Sequence, residues 1–257
     1  MKQVFRVFWG CTLAAALALT GCGRGGAPGS SGAGSMSGSG SGAMSGGTAG
    51  QEQAWRTGLG VVTEAAGSDR AGKITTAAAA VVLDADGKLA DVMLDELELS
   101  VSGGSTGSVT TPEDVRSKRT KGEDYPLAAA SSLGKGWAEQ ADWFADYLTG
   151  RTPDEVKKLK TDENGKPQDA DLVSGCTIAV DRYRDAVVRA CEQAKALGAA
   201  QGDRATLSLI AADLPQDLAA TDDQDAHVQA DITLAALSVD SNGRVTSAIG
   251  DMTQPQL

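Results

Sequence analysis

The sequence predicts an α+β fold in which two related β-meander units flank a helical middle segment, with pseudo-symmetry between the units. Three observations lead there. Residues 74–95 and 230–251 resemble each other at a constant offset, with Ala79, Ala80, Asp84, Gly87 and Asp95 matching Ala235, Ala236, Asp240, Gly243 and Asp251. Each copy has a short apolar run upstream, Leu59–Val62 and Leu207–Ile210. Between the copies, apolar residues recur every three or four positions, the period of a helix with one buried face.

Each copy reads as strand, loop, strand, tight turn, strand. Asp84–Gly87 and Asp240–Gly243 supply the turn residues. Alanine content alone would let residues 77–83 form a helix. The equivalent segment carries Ile232, Thr233 and Val239, which tips the pair towards strand. The spacing of the upstream runs differs between copies near Leu218 to His227. The Asp84–Gly87 run has some of the acidic residues of a calcium loop but not its third acidic position or terminal Glu.

In the middle segment, Trp137 to Leu148 reads as a helix between Gly136 and a C-terminal Gly150. Thr152-Pro153-Asp154-Glu155 has the N-cap hydroxyl, first-turn proline and reciprocal Glu that open a short helix, to about Leu159. Asp162 to Asp171 reads as turn and loop. Asp181 then caps a longer helix that buries Tyr183, Val187, Ala190, Cys191, Ala194 and Leu197 and ends at Gly198. Thr111-Pro112-Glu113-Asp114 reads as a helix start. The basic run Arg116–Lys121 after it reads as a solvated loop, with a phosphate or partner contact as the alternative.

Residues 1–21 read as a signal peptide, a basic head followed by an apolar run from Val7 to Leu19 that is too short to span a bilayer. Leu19-Thr20-Gly21-Cys22 resembles the bacterial lipobox, which implies cleavage before Cys22, lipidation of that thiol, a membrane lipid anchor and an extracytoplasmic location. Residues 22–50 then read as the lipidated cysteine and a flexible tether, since Gly23 to Gly50 holds 12 Gly and 7 Ser. Residues 51–257 remain for the domain.

Charge and residue usage narrow the function. The chain carries −11, and loss of Lys2 and Arg6 with the signal leaves −13. A surface so acidic repels phosphate backbones, so nucleic acid is not an expected partner. The one histidine, His227, excludes His-rich metal centres and relays needing two imidazoles. Cys176 and Cys191 have no histidine beside them in sequence. The helical rise separates them too far for a disulfide, so two free thiols are expected.

Asp171-Leu172-Val173-Ser174-Gly175-Cys176-Thr177 stands just before the helix at Asp181. This stretch resembles the D-x-x-S-G-A-T signature of the covalent FMN-binding domain family, with Cys176 where alanine is usual. The resemblance implies an FMN-binding-like domain in which Thr177 is joined through its hydroxyl to the FMN phosphate by a flavin transferase. Asp171, Ser174, Gly175 and Cys176 would be the other cofactor-binding positions. It also implies an electron carrier rather than a turnover enzyme, with a protein or quinone as redox partner. A phosphate just ahead of a helix would meet unpaired backbone N–H groups, and Arg182 and Arg184 would add charge. Trp137, Trp143, Phe144 and Tyr147 would wall the ring, although their helical spacing also reads as plain core. The rival reading is a cofactor-free surface lipoprotein that binds a ligand or a protein partner.

Overall fold

The computed structural model describes residues 54–68, 70–212, 216–221 and 225–257. The signal peptide, Cys22 and the tether lie outside them. The fold is α+β. One antiparallel sheet has the order β1 (Arg56–Ser68), β2 (Ala71–Leu83), β3 (Leu89–Gly103), β4 (Val109–Thr110). The helical segment follows: α1 (Lys118–Lys121), α2 (Trp137–Leu148), α3 (Pro153–Lys157), α4 (Ala170–Val173) and α5 (Asp181–Glu192). Then come β5 (Arg204–Ala211), β6 (Gln216–Leu218), β7 (His227–Gln229), β8 (Ile232–Val239) and β9 (Val245–Thr253). The second sheet has the order β5-β8-β9, and β6 pairs with β7 in the connection between β5 and β8.

Residues 77–83 form part of strand β2, as expected, despite their alanine content. This strand is the second of a four-stranded sheet covered on both faces, so Ile74 to Leu83 is buried throughout and no polar alternation survives. Ala77, Ala79, Val81 and Leu83 pack on the helical side. Ile74, Ala78, Ala80 and Val82 meet Leu209, Ile232 and Leu234 of the second sheet. On the helical side, close approach is built into two small-residue pairs. A Cβ on Gly58 or Gly60 would fall on the backbone carbonyls of Ala190 and Ala186, so α5 lies directly on β1.

The two hairpins have the same turn. Asp84 N–H donates to the Lys88 carbonyl at 2.9 Å, and the Asp84 carboxylate accepts from Asp86 N and Lys88 N. Asp240 N–H donates to the Arg244 carbonyl at 2.9 Å, and its carboxylate accepts from Asn242 N and Arg244 N. Gly87 and Gly243 have φ of 78° and 77°, the left-handed last position of a three-residue hairpin loop. Each ladder shifts register one residue before the turn, at Val82/Leu83 and Ser238/Val239.

The helices follow their caps. Gly136 N–H donates to Glu139 at 2.8 Å at the start of α2. Thr152 and Glu155 bond reciprocally at α3. Four expectations need correction. No helix starts at Thr111–Asp114, because Asp114 turns its carboxylate to the Arg116 backbone and guanidinium. The basic run is no solvated loop: it holds helix α1, capped by Ser117, with Lys118 buried. Helix α5 stops at Glu192 because Lys195 pairs in both directions with Thr57 of β1. That leaves Leu197 outside the helix and exposed. Val180, not Asp181, is the N-cap, with no side-chain cap bond.

Candidate functional site

The Asp171–Thr177 stretch is a one-turn helix and the loop that leaves it. Asp169 caps α4 by accepting from Asp171 N at 3.0 Å and Leu172 N at 3.4 Å. This puts Asp171 in the helix, on its exposed side. Ser174 is also exposed, and its hydroxyl returns to the Asp171 carbonyl at 2.7 Å. Gly175 is covered by Trp143, whose indole occupies the place a Cβ would take. The Trp143 ring is also within reach of Lys135, with Nζ 4.8 Å from its centroid. Cys176 turns into the helical core, where burial pushes its thiol up to about 11.

Thr177 comes out of the loop towards a pocket of about 480 Å³. Its backbone N–H and its hydroxyl both donate to one acceptor, Oε1 of Gln140, at 2.9 and 3.1 Å. Gln140 is fully buried on α2. Its Nε2 donates to Ser131 Oγ and to the Lys135 carbonyl, both at 3.0 Å.

The pocket has an ionic floor. Glu96 of β3 shares the helix-facing side of the strand with Leu94 and is fully buried. Lys118 Nζ is 2.6 Å from its Oε1, and the Tyr183 hydroxyl donates to its Oε2 at 2.7 Å. Trp137 Nε1 donates to the Tyr183 oxygen at 3.2 Å, with the two rings edge to face. Arg182 Nε lies 3.8 Å from Oε2, and its Nη1 reaches Glu64 at 3.2 Å. Burial, the largest single influence, lowers the Lys118 ammonium, but the Glu96 charge together with hydrogen bonds to Glu96 and Tyr125 outweighs it and holds the group above the ordinary lysine range. Burial and the Glu96 charge together push the Tyr183 phenol well up, so it stays a donor.

Among the charged residues lining this pocket, Lys118, Lys166 and Arg182 face one carboxylate, Glu96. Lys118 also pairs with Glu98 at 3.5 Å and Arg182 with Glu64, so Lys166 is the lining cation with no ion pair among the described residues and the one placed to meet a small anion. Lys166 is brought there by a third turn like those of the hairpins. The Asp162 carboxylate accepts from Asn164 N and Lys166 N. The Gly165 carbonyl accepts from Val180 N at 2.7 Å.

Of the five motif residues named from sequence, Thr177 alone lines the pocket. Arg182 lines it too, but Arg184 turns away to the Leu159 carbonyl and Asp185. Trp137 contributes an edge, while Phe144 is plain core and Trp143 lies over Gly175. Sequence reasoning missed Glu96, Lys166, Gln140 and the pocket role of Tyr183. Glu96 left a signal: a second charged residue beside Asp95 within the apolar run Val92–Leu99.

A second cavity, of about 440 Å³, has Asp91, Asp146, Asp203 and Arg204 in its wall. Two of its carboxylates serve the backbone. Asp91 accepts from Ala205 N at 2.7 Å and Asp203 from Ala200 N at 2.9 Å. Among the described residues, no helix is long and apolar enough to cross a membrane. No family model, curated protein or solved structure matches the chain.

Proposed function

We propose that this chain is a lipid-anchored extracytoplasmic flavoprotein that carries FMN covalently on Thr177 and transfers electrons. The observation that supports it most is the position of Thr177. The residue that the motif singles out lines a pocket that also holds Lys118, Lys166 and Arg182, while its motif neighbours lie outside that lining. The pocket suits the group on chemical grounds. A phosphodiester keeps a negative charge, which Lys166 would offset. Tyr125, half-buried in the lining, offers aromatic surface for a planar ring, with Trp137 and Tyr183 buried behind it. FMN would supply one- and two-electron redox chemistry there, with the protein supplying attachment and environment. Lys118 is held charged by Glu96, and Tyr183 is held protonated as a donor.

The partners in this reading are a flavin transferase, a redox protein or quinone, and the membrane through Cys22. We also infer that β1-β2-β3 and β5-β8-β9 are two copies of one ancestral unit. The matching sequence, the shared strand order and the matching hydrogen bonds of the two turns support it.

Co-expression with an active extracytoplasmic flavin transferase tests the function. The expected result is a flavin adduct on the peptide spanning Ser174 to Thr177, read by intact mass, peptide mapping and in-gel fluorescence after denaturation. Thr177→Ala should abolish it. An unmodified wild-type chain beside a labelled control substrate rejects the reading in favour of a cofactor-free lipoprotein that binds an anionic ligand reversibly. The anchor has its own test: wild-type protein partitions into detergent and Cys22→Ala does not.

A further inference from the structure

The geometry points to Gln140 as the residue that positions Thr177 for attachment, an inference that rests on the flavinylation reading above. Thr177 makes two bonds to a single oxygen, N–H and O–H both ending on Gln140 Oε1. That oxygen cannot exchange places with the amide nitrogen. The Nε2 group already spends its two hydrogens on Ser131 Oγ and the Lys135 carbonyl, and reversing the amide would set oxygen against that carbonyl. Gln140 is fully buried, fixed by α2 on one side and by residues 131–135 on the other.

The consequence is directional. With its hydrogen committed to Gln140, the Thr177 hydroxyl keeps its lone pairs free for another atom, and Thr177 lines the pocket. A nucleophilic oxygen needs that orientation. In the attachment step, Thr177 Oγ1 forms a bond to the flavin-side phosphorus of FAD. The pyrophosphate P–O bond on that phosphorus breaks, and AMP leaves with the electron pair. The O–H turns from Gln140 to a general base of the transferase, which takes the proton, while the Thr177 N–H stays bonded to Gln140. An amide oxygen is too weak a base to take that proton, so Gln140 orients the hydroxyl and does no proton chemistry. A second bond to the Thr177 N–H holds the backbone as well as the rotamer. One residue thus fixes both torsional ends of the side chain.

This separates orientation from recognition. Gln140→Met keeps the length and burial of the side chain but loses the acceptor. Steady-state labelling by the transferase should then show kcat lower by about ten- to a hundredfold, the scale on which misplacing a reacting atom acts. KM for the protein substrate should hardly move. Gln140→Glu keeps an acceptor for Thr177 without setting a bare oxygen against the Lys135 carbonyl only when protonated, its O–H replacing the Nε2 donor, so the rate should recover as pH is lowered. A variant that had merely loosened the fold would raise KM and would not be rescued by Glu.

Two readouts keep the inference independent of how well the variants fold. In the unlabelled wild-type chain, hydrogen exchange should show the Thr177 amide protected, and Gln140→Met should release it. Equal labelling kinetics in wild type and Gln140→Met, or an unprotected Thr177 amide in wild type, overturns the inference while leaving attachment at Thr177 standing. A wild-type chain that the transferase does not label at all removes both.

Discussion

Lys118 Nζ and Glu96 Oε1 stand 2.6 Å apart, and both side chains are almost wholly out of water. This ion pair joins the turn of α1 to the middle of β3 and forms the floor of the pocket. Removing Lys118 leaves the buried Glu96 charge with only the longer contact to Arg182 at 3.8 Å and the Tyr183 hydroxyl. Lys118→Met should therefore lower stability by about 3–5 kcal/mol in urea unfolding. Glu96→Gln in the same chain should recover much of the loss, because the amide still accepts from Tyr183. A Lys118→Met protein as stable as wild type would show the pair to be idle.

The same pair sets a pH dependence. Burial works against the Lys118 charge, but Glu96 and Tyr125 together more than offset it and raise the group above its ordinary value of 10.5. A raised ammonium stabilises fully below the unfolded value and loses that contribution as pH rises through the folded value. Unfolding monitored above pH 10 should show a falling limb in wild type that Lys118→Met lacks.

The small-residue seam between β1 and α5 makes a second structural prediction. A methyl group at Gly58 or Gly60 meets the backbone of α5, which has no side chain to swing aside. Gly58→Ala and Gly60→Ala should each destabilise by about 1–3 kcal/mol or more through overpacking. Gly250 in β9 is the control. A Cβ there meets its nearest neighbour, the Leu234 carbonyl, at 3.8 Å. Gly250→Ala should be neutral or slightly stabilising, since it reduces the freedom of the unfolded chain. Equal thermal shifts at Gly58 and Gly250 would contradict the seam.

The thiols offer a check that needs no substitution. Burial pushes Cys176 up to about 11 and Cys191 up to about 12. At pH 8 almost no thiolate forms and both sulfurs are screened, so a disulfide reagent should leave the folded domain untouched. Both should react within the unfolding time in denaturant. Rapid labelling of Cys176 in native protein would place its side chain in the pocket rather than the core.

What could be read from the sequence was local. The hairpin at Asp84–Lys88 carries its own hydrogen-bonding instructions in the aspartate and the left-handed glycine, and so does its counterpart at Asp240–Arg244. The same holds for α2 and α3, whose Glu139 and Glu155 reach back to the N-cap. Where a local signal competed with a distant partner, the partner won. Thr111–Asp114 has helix-opening residues, but Asp114 is taken by Arg116. Helix α5 would continue by periodicity, but Thr57 captures Lys195. The pocket was legible at Thr177, Arg182 and Trp137. Its floor pairs Glu96 with residues far along the chain, and no spacing rule links them. Lys118 was noticed only as one charge in a basic run.

Gly175 separates two explanations of the motif. A glycine beside an attachment residue is naturally read as room for a ligand phosphate. Here its missing side chain is filled by the Trp143 indole. Gly175→Ala should therefore displace Trp143, which is 41% exposed, and shift its emission towards that of a solvated indole. Trp143→Ala removes the obstacle. In that background the further change Gly175→Ala should have little effect on thermal stability, giving a coupling of about 0.5–3 kcal/mol between the two sites, the range for residues in contact. Labelling at Thr177 carries the argument into function. If Gly175 serves only the indole, the double variant Trp143→Ala/Gly175→Ala should be flavinylated as well as Trp143→Ala alone. If it labels far more slowly although its fold is intact, the glycine leaves space for the phosphate as well, and its place in the motif is chemical rather than packing alone.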